Sequence, residues 1–261
     1  MLIEHWDGGT WSVMKNPTLT GNPATTLHSV SCVSATRCVA VGDGNGSNGL
    51  AIKWSGTIWD AMSLPTPKGP LRRAHLTGVS CATGSDCFAV GYRGHLASLH
   101  STIVHYDGTT WSIVDGGSLG GSAFSGVSCP ATDFCLAVGH QSGTRTRPTT
   151  TMVERFDGSR WSIFASPNVV GFSDRLLGVT CASATSCVAV GNTGQELHPN
   201  RTLAEMWHKG APFAISSTPT FTGSASTSLL GVACATSTSC FAVGTTSKTA
   251  GSSTALIEHL G

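Results

Sequence analysis

Charged residues are scarce in this sequence, and their signs nearly cancel. Only 11% of the 261 residues are Asp, Glu, Lys or Arg, and the formal net charge is +1. A general nucleic-acid binder neutralises many phosphates with Lys and Arg, so we do not expect that function. The sequence also has no run of about 18 apolar residues, the length that a membrane-spanning helix needs, so we expect no membrane insertion.

Long stretches of helical apolar periodicity are absent as well, and aromatic residues make up only 7% of the chain. Thr, Ser and Val are common instead, and there are 32 glycines. Short strands joined by tight turns have this composition. We therefore predict an all-β fold.

What the sequence does contain is one motif written five times. The first cysteines of successive copies lie 48 to 53 residues apart. The copies are SVSCVSATRCVAVG (29–42), GVSCATGSDCFAVG (78–91), GVSCPATDFCLAVG (126–139), GVTCASATSCVAVG (178–191) and GVACATSTSCFAVG (231–244). A period near 50 indicates that one supersecondary unit is repeated along the chain.

Each copy carries one Cys-x5-Cys pair, and no cysteine is left over. Zinc sites space their cysteines more closely and need two pairs together, so we expect disulfides, no metal and no cofactor. Disulfides favour an extracellular or cell-surface location. Because Met1 leads directly into strand-like repeat sequence, we expect a segment of a longer secreted protein. The predicted pairs are Cys32–Cys38, Cys81–Cys87, Cys129–Cys135, Cys181–Cys187 and Cys234–Cys240.

Four apolar runs, here named a, b, c and d, make up each repeat. In the second repeat they are LTGVSC (76–81), CFAVG (87–91), STIVHYDG (101–108) and WSIV (111–114). An Asp-Gly turn joins c to d, as expected for a β-hairpin. The a–b and c–d connections are tight, whereas the b–c and d–a links are long. We therefore expect an up-and-down sheet whose long links share one edge, the long-link edge, opposite a tight-turn edge.

A tryptophan opens run d in four units: Trp11, Trp59, Trp111 and Trp161. The fifth unit has Phe213 at this place. Such a residue is either a ligand platform on each unit or the large apolar body that wedges neighbouring units together. The conservative replacement by phenylalanine suits the wedge.

Four strands per unit and a period near 50 match a β-propeller. We predict one five-bladed domain over residues 1–261, with run a innermost and run d at the rim. Run c occurs six times, since LIEHW (2–6) recurs as LIEHL (256–260). We expect the N-terminal strands 2–14 to close the last blade. Residues 254–261 would then be displaced or paired with a second chain, which would allow self-association.

The hairpins with an Asp-Gly turn before a tryptophan resemble those of Asp-box propellers. The full Asp-box spacing is not met because Asp and Gly are adjacent, so this resemblance implies strand order only. The combination of Cys-x5-Cys with WDGxxW is similar to tandem repeats of secreted actinobacterial proteins. That resemblance covers essentially the whole chain.

No catalytic signature stands out among the 14 acidic residues. The glutamates of run c, Glu4, Glu154, Glu205 and Glu258, are expected on a solvated strand face. A polysaccharide-active enzyme, a glycosidase or a lyase, would need paired carboxylates from the long links. The candidates for that alternative are Asp43, Asp115, Asp174 and Glu196. A structural spacer or adhesion module is the third possibility.

The long-link edge should be strongly positive. Ten basic and four acidic residues are assigned to it, which gives this edge a net charge of +6. We therefore expect a non-catalytic, lectin-like binding module whose partner is a glycan, possibly acidic, or an extracellular protein. The predicted ligand-binding residues are Arg72, Arg73, Arg93, His95, Arg145, Arg147, Arg175 and Arg201.

Overall fold

The structure, a computed structural model, describes residues 1–19, 25–44, 49–66, 74–94, 99–114, 116, 120–195, 200–219, 226–247 and 252–260. Every described element is a β-strand, which confirms the all-β prediction. Accordingly, no helix long and apolar enough to cross a membrane occurs among these residues.

Five sheets follow the five repeats in chain order, and a two-stranded N-terminal hairpin precedes them. The hairpin consists of β1 (Glu4–Trp6) and β2 (Trp11–Val13). Sheet 1 contains β3 (Thr26–Ser34), β4 (Arg37–Asp43), β5 (Gly49–Trp54) and β6 (Trp59–Met62). Sheet 2 contains β7 (Ala74–Thr83), β8 (Asp86–Arg93), β9 (His100–Tyr106) and β10 (Trp111–Val114).

The remaining three sheets have the same antiparallel order. Sheet 3 contains β11 (Ser122–Ala131), β12 (Phe134–Gln141), β13 (Thr150–Phe156) and β14 (Trp161–Phe164). Sheet 4 contains β15 (Ser173–Ser183), β16 (Ser186–Gly194), β17 (Arg201–His208) and β18 (Ala214–Ser216). Sheet 5 contains three described strands, β19 (Ser226–Thr236), β20 (Ser239–Ser247) and β21 (Ser253–Leu260).

Each sheet holds one disulfide at its tight-turn edge, where strands a and b meet. In sheet 2, Cys81 and Cys87 stand directly opposite each other in the β7–β8 register. Bonds join the same two positions in every repeat, so all five predicted pairs are confirmed. No described cysteine is free.

The c–d connection is longer than an Asp-Gly pair alone implies. Because Tyr106 pairs with Trp111, the loop contains four residues, 107–110. The Asp107 carboxylate accepts hydrogen bonds from the backbone N–H groups of Thr109 and Thr110, at 2.8 and 2.7 Å. Gly108 has a φ of 93°, a conformation that favours glycine. The aspartate thus holds the loop by capping its backbone.

The glycine of every Ala-Val-Gly run lies opposite a β-bulge. In sheet 2 the register shifts between Leu76 and Gly78, which brings strand a close to Gly91. A Cβ atom on Gly91 would lie 1.8 Å from the carbonyl oxygen of His75. Any side chain at this position would therefore collide with the partner backbone, which explains why all five repeats have glycine here.

Successive sheets are fastened together through strand a. The Ser80 hydroxyl of sheet 2 accepts a hydrogen bond from the backbone N–H of Cys129 in sheet 3, at 2.9 Å. Ser31 binds the N–H of Cys81 in the same way, at 3.0 Å. The serine of the Val-Ser-Cys run, present in the first three repeats, therefore joins each of sheets 1 to 3 to the next sheet through strand a.

In sheets 2 to 4, strand b is buried on both faces because a sheet packs on each side of it. On β8, Phe88 and Val90 pack against sheet 3, while Cys87 and Ala89 pack against sheet 1. The ring of Trp161 in sheet 3 lies edge-on to Phe88, with the ring centroids 5.2 Å apart. The tryptophans of strand d in sheets 1 to 3 are buried: Trp111 and Trp161 pack between two sheets, and Trp59 packs in the cluster that sheet 1 forms with the hairpin.

The N-terminal hairpin does not close sheet 5 in this structure, which differs from the closure expected of strands 2–14. It lies on sheet 1, where Ile3 packs against Ala40 and Ile52. Strand β21 pairs with β20 along eight residues, whereas β1 is only three residues long. The longer pairing with the nearer segment of chain accounts for the difference. Among the described residues, no strand of sheet 5 packs along a strand of sheet 1.

Candidate functional site

One position at the long-link edge varies between repeats, although the Ala-Val-Gly run before it is the same in all five. It follows Ala-Val-Gly at the end of strand b and is therefore held by the same backbone in every sheet. We call its five residues the variable positions: Asp43, Tyr92, His140, Asn192 and Thr245. All five side chains are polar, and no two are alike. A rigid frame that carries different polar groups at one edge has the arrangement of a recognition surface.

Asp43 connects sheets 1 and 2 through two histidines. His28 on β3 lies with its Nε2 atom 3.0 Å from Oδ2 of Asp43. His75 on β7 lies with its Nδ1 atom 2.9 Å from Oδ1. All three side chains are about one-third exposed, at 37%, 34% and 33% for His28, His75 and Asp43. The carboxylate is thus fixed by two ring N–H donors while one side of the group stays open to solvent.

Tyr92 completes this group by stacking on His75, with ring centroids 4.8 Å apart and an angle of 22° between the planes. Burial and the negative charge of Asp43 raise the pKa of the Tyr92 phenol, which therefore stays protonated at neutral pH. We call His28, Asp43, His75 and Tyr92 the edge cluster. It offers an aromatic plane, hydroxyl and imidazole groups and a carboxylate within one small surface.

The variable positions of sheets 3 and 4 also interact with the following sheet. Burial, together with the charge of Arg175, lowers the pKa of His140 to about 4, so its imidazole is neutral at pH 7. Asn192 donates a hydrogen bond from Nδ2 to the Ser228 hydroxyl of sheet 5, at 2.8 Å. At this edge, polar groups therefore link sheet 1 with sheet 2, sheet 3 with sheet 4 and sheet 4 with sheet 5.

The glutamates of run c are not on a solvated face, except for Glu4. Glu154, Glu205 and Glu258 are buried. The expectation was wrong because these three side chains face the preceding repeat, which covers them, whereas no sheet lies behind Glu4 in the N-terminal hairpin. The Ser166 hydroxyl donates a hydrogen bond of 2.7 Å to Oε2 of Glu205. Burial raises the pKa of Glu205 to about 7, and the nearby Asp174 carboxylate adds to this rise.

The four carboxylates of the enzyme alternative do not form a pair among the described residues. Asp43 is bound by its two histidines, and Asp174 is fully buried. Oδ2 of Asp174 accepts a hydrogen bond from the backbone N–H of Val169, so this carboxylate holds the preceding loop. Asp115 and Glu196 lie outside the described residues.

The predicted ligand-binding arginines that are described all lie at the long-link edge. Arg93 ends β8, and Arg175 and Arg201 are near the starts of β15 and β17. Arg145 and Arg147 are exposed in the b–c link of sheet 3, which an isolated bridge between Thr144 and Arg147 closes. Arg72, Arg73 and His95 lie outside the described residues.

In the part of the chain that the structure describes, no group of three or more His, Cys, Asp or Glu side chains is placed to hold a metal ion. Each of the two Asp43 oxygens instead faces one imidazole of the edge cluster.

Sequence reasoning did not single out the edge cluster. The sequence suggests Asp43 as a possible catalytic carboxylate and assigns no binding role to His28, His75 or Tyr92. A usable signal was present, since the residue after Ala-Val-Gly changes in every repeat while the run before it is nearly constant. The contacts with the histidines need the three-dimensional stacking of two sheets and cannot be derived from the repeat alone.

Comparison with known proteins establishes the fold. No protein-family model matches the chain, and no curated protein is similar to it in sequence. Among solved structures, 98% of this chain aligns with 68% of a polysaccharide lyase of the ulvan lyase family PL25, at 10% identity and a TM-score of 0.63. With YCF48 bound to a D1 peptide, 99% of this chain aligns with 73% of that protein, at 13% identity and a TM-score of 0.55.

A lectin is also similar in structure. With SapL1 in complex with α-methyl fucoside, 98% of this chain aligns with 87% of the lectin, at 13% identity and a TM-score of 0.53. These three proteins are β-propellers, and at such low identity the likeness extends to the fold alone. The repeated antiparallel sheets are therefore arranged as propeller blades.

Proposed function

We propose that this protein is a non-catalytic extracellular binding module, built from five propeller blades, that recognises a glycan or a protein partner through its long-link edge. The observation that carries the proposal is the set of variable positions. Their backbone is fixed by the same bulge and the same glycine in each sheet, while the side chain changes from Asp to Tyr, His, Asn and Thr.

The chemistry of the edge cluster suits hydroxyl-rich ligands. The ring of Tyr92 and its neighbour His75 present an aromatic plane, and the Asp43 carboxylate accepts hydrogen bonds. Sugars are bound by this combination, because their C–H faces pack on aromatic rings and their hydroxyls bind polar groups. Neighbours in fold include a fucoside-bound lectin and a peptide-bound protein, which supports either class of partner without selecting one.

The localisation follows from the disulfides. Five of them, one in each sheet, indicate folding in an oxidising compartment, which is compatible with an extracellular or cell-surface protein.

A glycan array and a peptide array, each probed with the folded protein, test the proposal. The double variant Tyr92→Ala/His75→Ala should lower affinity for any ligand found by about tenfold or more, which corresponds to the loss of roughly 1.4 kcal/mol. The matched control is His105→Ala. His105 also pairs with an aspartate, Asp86, at 2.8 Å and stacks on a ring, Phe88, but it lies at the tight-turn edge.

The control should bind like the unmodified protein. If His105→Ala weakens binding as much as the double variant does, or if the double variant binds normally, recognition does not occur at the long-link edge. Turnover of the bound glycan would contradict the non-catalytic function.

Within this proposal, the basic residues that the sequence assigns to the long-link edge favour an anionic partner. Arg145 and Arg147 are exposed on one link, so their replacement by alanine should reduce salt-dependent retention on a polyanion such as heparin. Arg160 and Lys209, exposed at the tight-turn edge, provide the matched control pair. Retention that is equal in both double variants, or absent in the unmodified protein, would show that the anionic preference is wrong.

A further inference from the structure

Sheet 5 exposes a face that every preceding sheet buries. On β20, Phe241 and Val243 are 52% and 51% exposed. Their counterparts on β8, Phe88 and Val90, are 4% and 0% exposed because sheet 3 covers them. The front face of sheet 5 therefore has the side chains of an interface between sheets but no sheet packed on it among the described residues.

The N-terminal hairpin exposes the face that other sheets pack against the preceding sheet. Leu2 and Trp6 occupy the repeat positions of Leu203 and Trp207, which pack back onto the preceding sheet. In the hairpin both residues are exposed, and Trp11 is 68% exposed although its counterparts in sheets 1 to 3 are buried. The hairpin thus has strands c and d of a blade, with no sheet behind it.

A cleft of about 630 Å³ lies between the hairpin and sheet 1. Its walls include Leu27, Val30 and Cys38 of sheet 1 and Ile3 of the hairpin. Val30 is 59% exposed, whereas its counterpart Val79 is 5% exposed beneath the strand b of sheet 1. The cleft is therefore the space that strand b of a preceding blade would fill.

From these three surfaces we propose that two copies of the chain associate head to tail, with the hairpin of one copy completing the last sheet of the other. Strand β20 of the first copy enters the cleft of the second and pairs with the free edge of β1. Strand β21 leaves β20, and the composite blade contains β19 and β20 from one copy and β1 and β2 from the other.

The sequences of the two competing strands support the exchange. Residues 2–5 and 256–259 are both Leu-Ile-Glu-His, so β1 can adopt the register of β21, in which Val243 faces Ile257. The next residue is Trp6 in β1 and Leu260 in β21. The first four sheets have an aromatic residue at this position, as Tyr106 and Trp207 show. The hairpin thus restores an aromatic contact that β21 lacks.

The hairpin also supplies strand d, which β21 does not. In sheets 2 and 3, the tryptophan of strand d packs on the aromatic residue of strand c, as Trp111 does on Tyr106 at 5.3 Å. Trp6 and Trp11 are already 5.7 Å apart in the hairpin. This pair can therefore dock on a second copy as a preformed unit.

The occupant is a second copy because one chain leaves both surfaces open. Val30 and Phe241 are exposed at the same time, and in the described residues no strand of sheet 5 packs along sheet 1. Each copy carries one hairpin and one exposed sheet, so the contact is heterologous and extends into chains of copies or closes as a ring.

Light scattering over a concentration series tests the association. The unmodified protein should rise from a mass of 26.8 kDa towards its multiples. The variant Trp6→Ala/Trp11→Ala should need about tenfold higher concentration or more, as expected for the loss of two aromatic anchors. Both residues are exposed in the single chain, so the variant should fold. Val170→Ala is the matched control, since Val170 is 94% exposed and belongs to neither surface.

Hydrogen exchange on the same samples identifies the strand that pairs. As the mass rises, the amides of residues 2–6 should become protected and those of residues 253–260 should lose protection. A mass that stays at 26.8 kDa at every concentration would overturn the proposal. So would association that Trp6→Ala/Trp11→Ala leaves unchanged. Protection of residues 2–6 in a monomer would show that the hairpin pairs with sheet 5 of the same chain. That result would also overturn the proposal that a second copy pairs with it.

Discussion

Replacing Glu205 by glutamine should remove a loss in the free energy of unfolding that occurs as pH rises towards 7. Glu205 is fully buried on β17, with one hydrogen bond from the Ser166 hydroxyl. Burial, with Asp174 as a second negative neighbour, raises its pKa from 4.5 to about 7. The folded state therefore retains a proton that the unfolded chain has already lost between these two pH values.

The size and sign of the effect follow from proton linkage. Below pH 4.5 both states are protonated, so this group causes no change in stability. Between pH 4.5 and 7 the free energy of unfolding falls as pH rises, because only the unfolded state releases the proton. Each pH unit of pKa difference contributes about 1.4 kcal/mol, so the total loss above pH 7 is about 3 kcal/mol. Glutamine carries no charge at any pH and avoids this loss.

Urea unfolding of both proteins from pH 4 to pH 9, with disulfides intact, measures the difference. The Glu205→Gln variant should gain up to about 3 kcal/mol relative to the unmodified protein at pH 8 and almost nothing at pH 4. Glu4→Gln is the matched control, since Glu4 has the same repeat position on an exposed strand, and it should show no pH-dependent gain. An equal gain at pH 4 and pH 8, or no gain at all, would refute the reasoning.

Three further substitutions test the fold. Gly139→Ala should destabilise it by about 3 kcal/mol or more, since its Cβ would lie 2.0 Å from the carbonyl oxygen of Ala123. Gly9→Ala, with room around its Cβ, should change the melting temperature little. The double variant Cys81→Ser/Cys87→Ser should lose about 2 kcal/mol in denaturant unfolding, and unchanged stability would show that this disulfide does not stabilise the fold. Ser80→Ala should cost about 1 kcal/mol by calorimetry through the lost bond between sheets, and no cost would contradict that bond's role.

The local structure of each repeat could be predicted from the sequence. Cysteine pairs, strands and c–d hairpins form between residues within about 40 positions of one another. The same pattern occurs in five copies, so each copy supports the prediction made from the others. The regular Cys-x5-Cys spacing thus leads directly to the bond between Cys81 and Cys87.

The relations between repeats could not be predicted in the same way. Glu205 looks like a surface residue because alternation along one strand does not reveal that sheets cover both of its faces. The position of the hairpin depends on competition between two nearly identical strands, Glu4–Trp6 and Ser253–Leu260, for which sequence similarity gives no order of preference. The edge cluster likewise needs the stacking of sheet 2 on sheet 1.

The serine bonds between successive sheets have a consequence for how the molecule comes apart. Among the described residues, each sheet packs along the sheets that precede and follow it in the chain, so cooperative unfolding should spread from sheet to sheet, as in a solenoid. Sheets 1 and 5 each have one such neighbour among the described residues, while sheets 2 to 4 have two. Sheet 1 is also covered by the N-terminal hairpin, which packs Ile3 against Ala40 and Ile52, so sheet 5 is the less protected end. Unfolding should therefore begin by fraying at sheet 5 and advance inward, so that the middle sheets form the slowest-exchanging cooperative unit of the protein.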